Sequence, residues 1–126
     1  MTVPGISGEL SLPSTGQLIS IGEKFTIHSK VLDEDRSYWV YLPNSYDHHQ
    51  PFANMSYPVI YLLDGDSFFA TVSGLLRFMS EGINFNFQIP PHIIIAIPHA
   101  DRMRDLTPTH HKDFATSGGG PDFLRF

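Results

Sequence analysis

The sequence predicts an α/β protein in which an antiparallel hairpin leads into a parallel βαβ unit. Two observations carry the parallel part. Pro58-Val59-Ile60-Tyr61-Leu62-Leu63 and Ile93-Ile94-Ile95-Ala96-Ile97 are continuous apolar runs of strand length. Such runs fit strands buried on both faces, as in a parallel sheet. Between them, Phe68, Phe69, Val72, Leu75, Leu76 and Met79 recur at one-face helical spacing. Strand, helix and strand within about 40 residues make a βαβ unit, with a right-handed crossover in nearly all known cases. The third observation is the aromatic and β-branched run Tyr38-Trp39-Val40-Tyr41, which predicts an earlier strand.

In chain order, Met1 to Gly16 is rich in Pro, Gly, Ser and Thr and reads as an irregular leader. Phe25, Ile27 and Val31 stand among polar neighbours and predict a strand. Leu32-Asp33-Glu34-Asp35 is the expected turn, and Ser37 to Leu42 the returning strand. Pro43 to Tyr57 reads as a loop. The first apolar run ends abruptly at Asp64-Gly65-Asp66-Ser67, where Asp66 or Ser67 is the expected helix N-cap, and Gly82 the expected helix end. After Pro98 the chain is polar and loop-like as far as Pro121. Pro121 to Phe126 has the form of a first helical turn with Pro near its start.

The 126 residues allow one domain, here 1–16 as leader and 17–126 as the sheet portion. Eight Lys and Arg against 13 Asp and Glu leave a net charge of -5, and the basic residues are scattered. Nucleic acid and anionic membrane are therefore not expected partners. With no cysteine, a disulfide scaffold, a thiolate zinc site and a Cys nucleophile are excluded. No apolar run approaches the roughly 20 residues of a membrane span. Met1 to Gly16 shows no signal-peptide pattern, which makes a cytoplasmic location the default expectation.

In an open parallel sheet, ligands bind outside the carboxyl ends of the strands. Those ends are Asp64-Gly65-Asp66 and His99-Ala100-Asp101-Arg102, so both polar clusters should face one crevice. At the first, a helix start leaves free backbone N–H groups that suit an anionic oxygen. A plain strand-to-helix turn explains the same residues. The segment His99 to Thr109 holds two Arg and two Asp, which either clamp an anion or pair internally as a solvated loop. His48-His49 and His110-His111 lack a third ligand at helical spacing, so no metal site is expected. Gly118-Gly119-Gly120 lacks the Lys-Ser/Thr ending of a P-loop and reads as a flexible hinge. Trp39 and the 10 Phe are most simply core residues. A serine nucleophile elbow needs Gly-x-Ser-x-Gly between strand and helix. No such pattern occurs in the chain.

Tyr41-Leu42-Pro43, Tyr57 to Gly65 and Asp101-Arg102-Met103-Arg104-Asp105-Leu106-Thr107-Pro108-Thr109, in this order, resemble the putative-esterase branch of the α/β-hydrolase superfamily. That branch includes esterase D and the enterobactin-type siderophore esterases. The Asp-Arg-x-Arg-Asp-Leu-Thr-Pro stretch is the more specific part and points to the siderophore-esterase side. The resemblance spans roughly residues 17 to 126 and implies a Ser-His-Asp/Glu triad acting on a carboxylic ester, without a cofactor. It implies that the backbone N–H of Asp66, after Asp64-Gly65, is one oxyanion-hole donor. It suggests Gly65, Arg102 and Arg104 as substrate-crevice residues. The nucleophile, the acid and the base of such an enzyme have no counterparts here, and none of the seven histidines stands where the catalytic His would fall. The chain therefore reads as the N-terminal half of an esterase, inactive by itself. A non-catalytic interaction module built on half the fold, and an esterase acting on carbohydrate esters, are the alternatives. An incomplete sheet would also leave a buried-type strand as an edge, open to self-association.

Overall fold

The computed structural model describes residues 17–46, 56–82 and 87–126. The leader and His48-His49 lie outside the described residues. The elements are β1 (Glu23–Ser29), β2 (Glu34–Tyr41), β3 (Val59–Leu63), α1 (Gly65–Ser80), β4 (Ile93–Ile97), α2 (Arg102–Leu106) and α3 (Gly120–Phe123). They form one four-stranded sheet in the order β1-β2-β4-β3. β1 pairs antiparallel with β2, and β2 antiparallel with β4. β3 runs parallel to β4, with Val59 opposite Ile93 and Leu63 opposite Ile97. The hairpin and the parallel βαβ unit are as the sequence predicts.

The hairpin turn lies earlier than expected, at Lys30–Asp33. Ser29 pairs with Glu34, so Glu34 and Asp35 belong to the strand. Asp33 makes this turn by taking a left-handed conformation, φ 51°, which Asp tolerates better than most residues. The Ser29 hydroxyl accepts the Leu32 N–H at 3.2 Å and closes the turn.

Alternation decides which side of the sheet becomes the core. Tyr41, Ile94 and Ala96 face α1 and are buried with Phe69. Trp39, Leu62, Val72 and Leu76 pack around them, with Trp39 edge-on to Phe69 at 5.5 Å. The buried stripe of α1 runs through Phe69, Ser73 and Ser80, while Phe68 and Leu75 are exposed. This stripe is narrower than the apolar spacing suggests. Serine 73 is small, and its hydroxyl is satisfied by the Phe69 carbonyl, so the helix seats closely on the sheet at that position. Gly82 follows the C-cap Glu81 with φ 62° and ends the helix, as expected.

The opposite face carries Ile27, Tyr38, Tyr61, Leu63, Ile95 and Ile97 around a concavity of about 420 Å³. Phe123, Leu124 and Phe126 of the α3 region reach it. The expectation that the phenylalanines are core is therefore corrected: Phe25, Phe68, Phe78, Phe87 and Phe114 are all exposed. Among the described residues no helix is long and apolar enough to cross a membrane.

Candidate active-site crevice

The carboxyl ends of β3 and β4 are adjacent because the two strands are parallel neighbours, and both polar clusters sit there. The turn after β3 is set by two residues. Asp64 takes φ 52°, ψ 42° and stands as the N-cap of α1, without a side-chain cap bond. The helix thus begins one residue before Asp66, which replaces the expected cap at Asp66 or Ser67. Gly65 is buried against β4: a Cβ there would lie 2.8 Å from Ala96 Cβ and 2.9 Å from Ile97 N. Only glycine lets the helix start this close to the strand.

The Asp64 carbonyl accepts the N–H groups of Ser67 at 3.0 Å and Phe68 at 3.2 Å. These are the first donors into the helical ladder. The N–H groups of Gly65 and Asp66 come before them, in the positions that an α-helix leaves unused by its own carbonyls. A non-glycine residue in the left-handed region costs on the order of 1 kcal/mol or more, a kind of strain that clusters at functional turns.

Four charged or titratable side chains surround this turn. Arg102 Nε lies 3.2 Å from Asp64 Oδ1, and its Nη2 lies 3.4 Å from Oδ2. His99 Nδ1 is 3.4 Å from Asp64 Oδ1 and 3.4 Å from Asp66 Oδ1. The segment after β4 is thereby joined to the turn after β3 through side chains alone. The sequence places Asp64 and His99 in the two clusters that should face the crevice, but gives neither a role. Their signal was positional, since each stands at or just beyond the carboxyl end of a parallel strand.

The stretch Asp101 to Thr107 divides its residues between two tasks. Expected as loop, it contains the short helix α2, because the Asp101 carboxylate accepts the Arg104 N–H at 3.0 Å and caps it. That bond, with one from the Thr116 hydroxyl, holds the Asp101 carboxyl below its usual range. Arg102 goes to the crevice. Arg104 goes the other way: its Nη2 and Nη1 meet Glu34 at 2.6 and 3.0 Å, and its Nε meets Asp105 at 2.8 Å. Arg104 and Arg102 are thus not brought together on one ligand surface. The Glu34 and Asp105 hydrogen bonds raise the pKa of Arg104 further.

Asp105 is buried and reaches across to Arg36 of β2 at 2.7 Å. Arg36 is itself 2% exposed. It bonds Glu34 at 2.9 Å, and its guanidinium lies 5.3 Å from the Phe123 ring centre and 5.6 Å from that of Phe126. Burial raises the Asp105 pKa, but the hydrogen bonds of Arg104 and Arg36 outweigh it and hold the carboxyl low. This four-member network pins the hairpin, α2 and α3 together, and α2 in turn carries Arg102. Arg36 had a readable signal: it shares a strand face with Tyr38 and Val40 and stands opposite Ile27, an apolar register that a charge enters only with a partner.

Gly118, Gly119 and Gly120, which lead into and open α3, are not a flexible hinge. Gly119 N donates to Arg104 O at 2.9 Å and Gly120 N to Thr107 O at 3.0 Å. Gly118 N donates to Thr107 Oγ1 at 2.8 Å. A Cβ on any of the three would lie within 2.8 Å of a neighbouring atom. They are a close-packed seat for α2. His110 and His111 lie beside this seat, where Ser117 Oγ accepts the His111 N–H at 2.7 Å. Among the described residues no group of three or more His, Cys, Asp or Glu could hold a metal ion.

A mixed sheet whose parallel pair delivers a Gly turn and free helix N–H groups to one crevice is the front portion of an α/β-hydrolase fold. The family described as Putative esterase matches residues 29–125. The chain belongs to that family. No curated protein matches it in a sequence search. Among solved structures, an IroE-like serine hydrolase from Shewanella oneidensis is 36% identical with a TM-score of 0.71, the match covering 83% of this chain and 34% of that one. The BES protein of Bacillus cereus is 25% identical with a TM-score of 0.71, covering 92% and 45%. The siderophore hydrolase EstA of Aspergillus nidulans shares the fold, with 24% identity, a TM-score of 0.63, and coverage of 84% and 40%. The chain therefore spans less than half the length of these structures.

Proposed function

We propose that this chain supplies the oxyanion half of a serine-type carboxylic-ester hydrolase. The observation that carries the reading is the Asp64-Gly65-Asp66 turn, which sets the Asp66 N–H ahead of the helical ladder at the carboxyl end of β3. In the intact protein this donor stabilises the tetrahedral oxyanion formed when a serine attacks the ester carbonyl. Gly65 allows the close approach, and Arg102, which pairs with Asp64, stands at the rim of the crevice that takes ester substrates. The Asp-Arg-x-Arg-Asp-Leu-Thr-Pro stretch favours a siderophore-type ester among these. The serine, the histidine and the acid come from polypeptide outside these 126 residues.

The test compares the intact protein with the 126-residue chain on p-nitrophenyl acetate. We expect serine-dependent hydrolysis by the former only, since loss of a triad removes most of the rate even where an oxyanion donor survives. Hydrolysis by the isolated chain would overturn the reading.

The sheet order supports a second reading, an interaction module. β3 is an outer strand of the described sheet, yet it has the apolar make-up of an inner one, with Tyr61 69% exposed. Such an edge pairs with another strand. Light scattering on the isolated chain is then expected to give a defined dimer or larger species. A cooperative monomer at tens of micromolar would exclude this module.

A further inference from the structure

We infer that Arg102 is a positioning residue, which holds Asp64, and through it the turn that carries the Asp66 N–H, and does not bind the substrate. An N-cap residue ordinarily has extended backbone angles, and its side-chain oxygen accepts an N–H of the first helical turn. Asp64 does neither. Its backbone is left-handed, φ 52° and ψ 42°, and its carboxylate makes no cap bond. Asp usually visits that region with its side chain bonded to nearby backbone. Among the described residues the Asp64 carboxylate accepts from Arg102 instead, Nε at 3.2 Å to Oδ1 and Nη2 at 3.4 Å to Oδ2. One donor for each carboxylate oxygen fixes orientation as well as distance. The left-handed turn is thus held from outside, by a side chain 38 residues further along the chain.

The other end of this hold is anchored. Arg102 is the first residue of α2, and the Asp101 carboxylate caps that helix. Arg104 and Asp105 tie α2 to Glu34 and Arg36 of β2. A continuous set of hydrogen bonds therefore runs from β2 through α2 to the turn after β3. The Nε–Nη2 edge of Arg102 is engaged and its charge is matched by Asp64, which closes that edge to a substrate anion. The Asp64 side chain is 19% exposed and that of Arg102 62%, so water screens the pair and its effect is modest. The value of this hold in catalysis rests on the role proposed for the Asp66 N–H. The hold itself does not.

Amide hydrogen exchange on the 126-residue chain tests the hold directly. The reporters are the Ser67 and Phe68 amides, which donate to the Asp64 carbonyl. Arg102→Gln and Asp64→Asn should each lower their protection about two- to fivefold, the range that an exposed ion pair gives. Asn tolerates the left-handed region, so the second variant loses the charge and keeps the turn geometry. The double variant should fall no further than either single one, because each alone breaks the same pair. Ile95 in β4 is the control and should keep its protection. Unchanged protection in R102Q, losses that add in the double variant, or an equal fall at Ile95 overturns the proposal. In the intact protein, R102Q should lower kcat by the same factor on p-nitrophenyl acetate and on the anionic mono-p-nitrophenyl succinate, with KM unchanged. A KM raised for the anionic ester alone would make Arg102 a substrate ligand and overturn the proposal. The exchange readout contains no ester hydrolysis, so failure of the esterase reading leaves it standing.

Discussion

On the oxyanion role proposed for its N–H, Asp66→Pro in the intact protein is expected to lower kcat by roughly 10²- to 10³-fold, the cost of deleting one such donor. The substitution removes a single atom's function. The Asp66 N–H precedes the first ladder donors, Ser67 and Phe68, so the helix loses no hydrogen bond. Proline is tolerated in the first turn of a helix for that reason. The preceding residue is Gly65, which has the most conformational freedom to accommodate it. The necessary companion is Asp66→Ala, which keeps the N–H and loses the carboxylate. Steady-state kinetics should show a small loss for the alanine variant and the large loss for proline, with matching circular dichroism and thermal midpoints. Equal losses in the two variants would mean that the side chain, and not the backbone donor, carries the effect.

Asp105→Ala is expected to destabilise the fold by about 3–5 kcal/mol, the usual cost of stripping one partner from a buried ion pair. Arg36, 2% exposed, would keep only Glu34 as counter-charge and would face the Phe123 and Phe126 rings with its desolvation uncompensated. That loss is a large fraction of the total stability of a domain this size. Urea unfolding measures it directly. The double variant Arg36→Met, Asp105→Leu should be less damaged than Asp105→Ala, because no unpaired charge remains. The same network sets the response to acid. Both Glu34 and Asp105 have carboxyls held below their ordinary values in the folded state. Their contribution is therefore complete above the ordinary carboxylate range, from about pH 5 upward, and drains away as pH falls through the depressed folded values. Wild-type stability should decline on acidification more steeply than that of the double variant.

Asp101 to Thr107 is one short run of sequence, yet its residues act in different places. Arg102 turns to the crevice, Arg104 and Asp105 turn to the hairpin, and Asp101 and Thr107 hold backbone N–H groups. The buried network is what lets a helix of five residues hold Arg102 against the turn after β3. A helix that short has no stability of its own.

The sequence by itself determined the strands, the long helix, the parallel pairing and the place of the crevice. Those features follow from local patterns: uninterrupted apolar runs, a 3.6-residue period, and a glycine turn at a strand end. It also determined that no Gly-x-Ser-x-Gly elbow lies in these residues. Tertiary structure alone decided the rest. Arg36 and Asp105 are 69 residues apart and meet only because β2 lies beside β4. His99 meets Asp64 and Asp66 only because β3 and β4 are parallel neighbours. The glycines 118–120 pack tightly because α2, too short for sequence periodicity to reveal, and its C-cap Thr107 accept their N–H groups. A charged side chain announces in sequence that it needs a partner, but the partner is chosen by which strands the fold brings together.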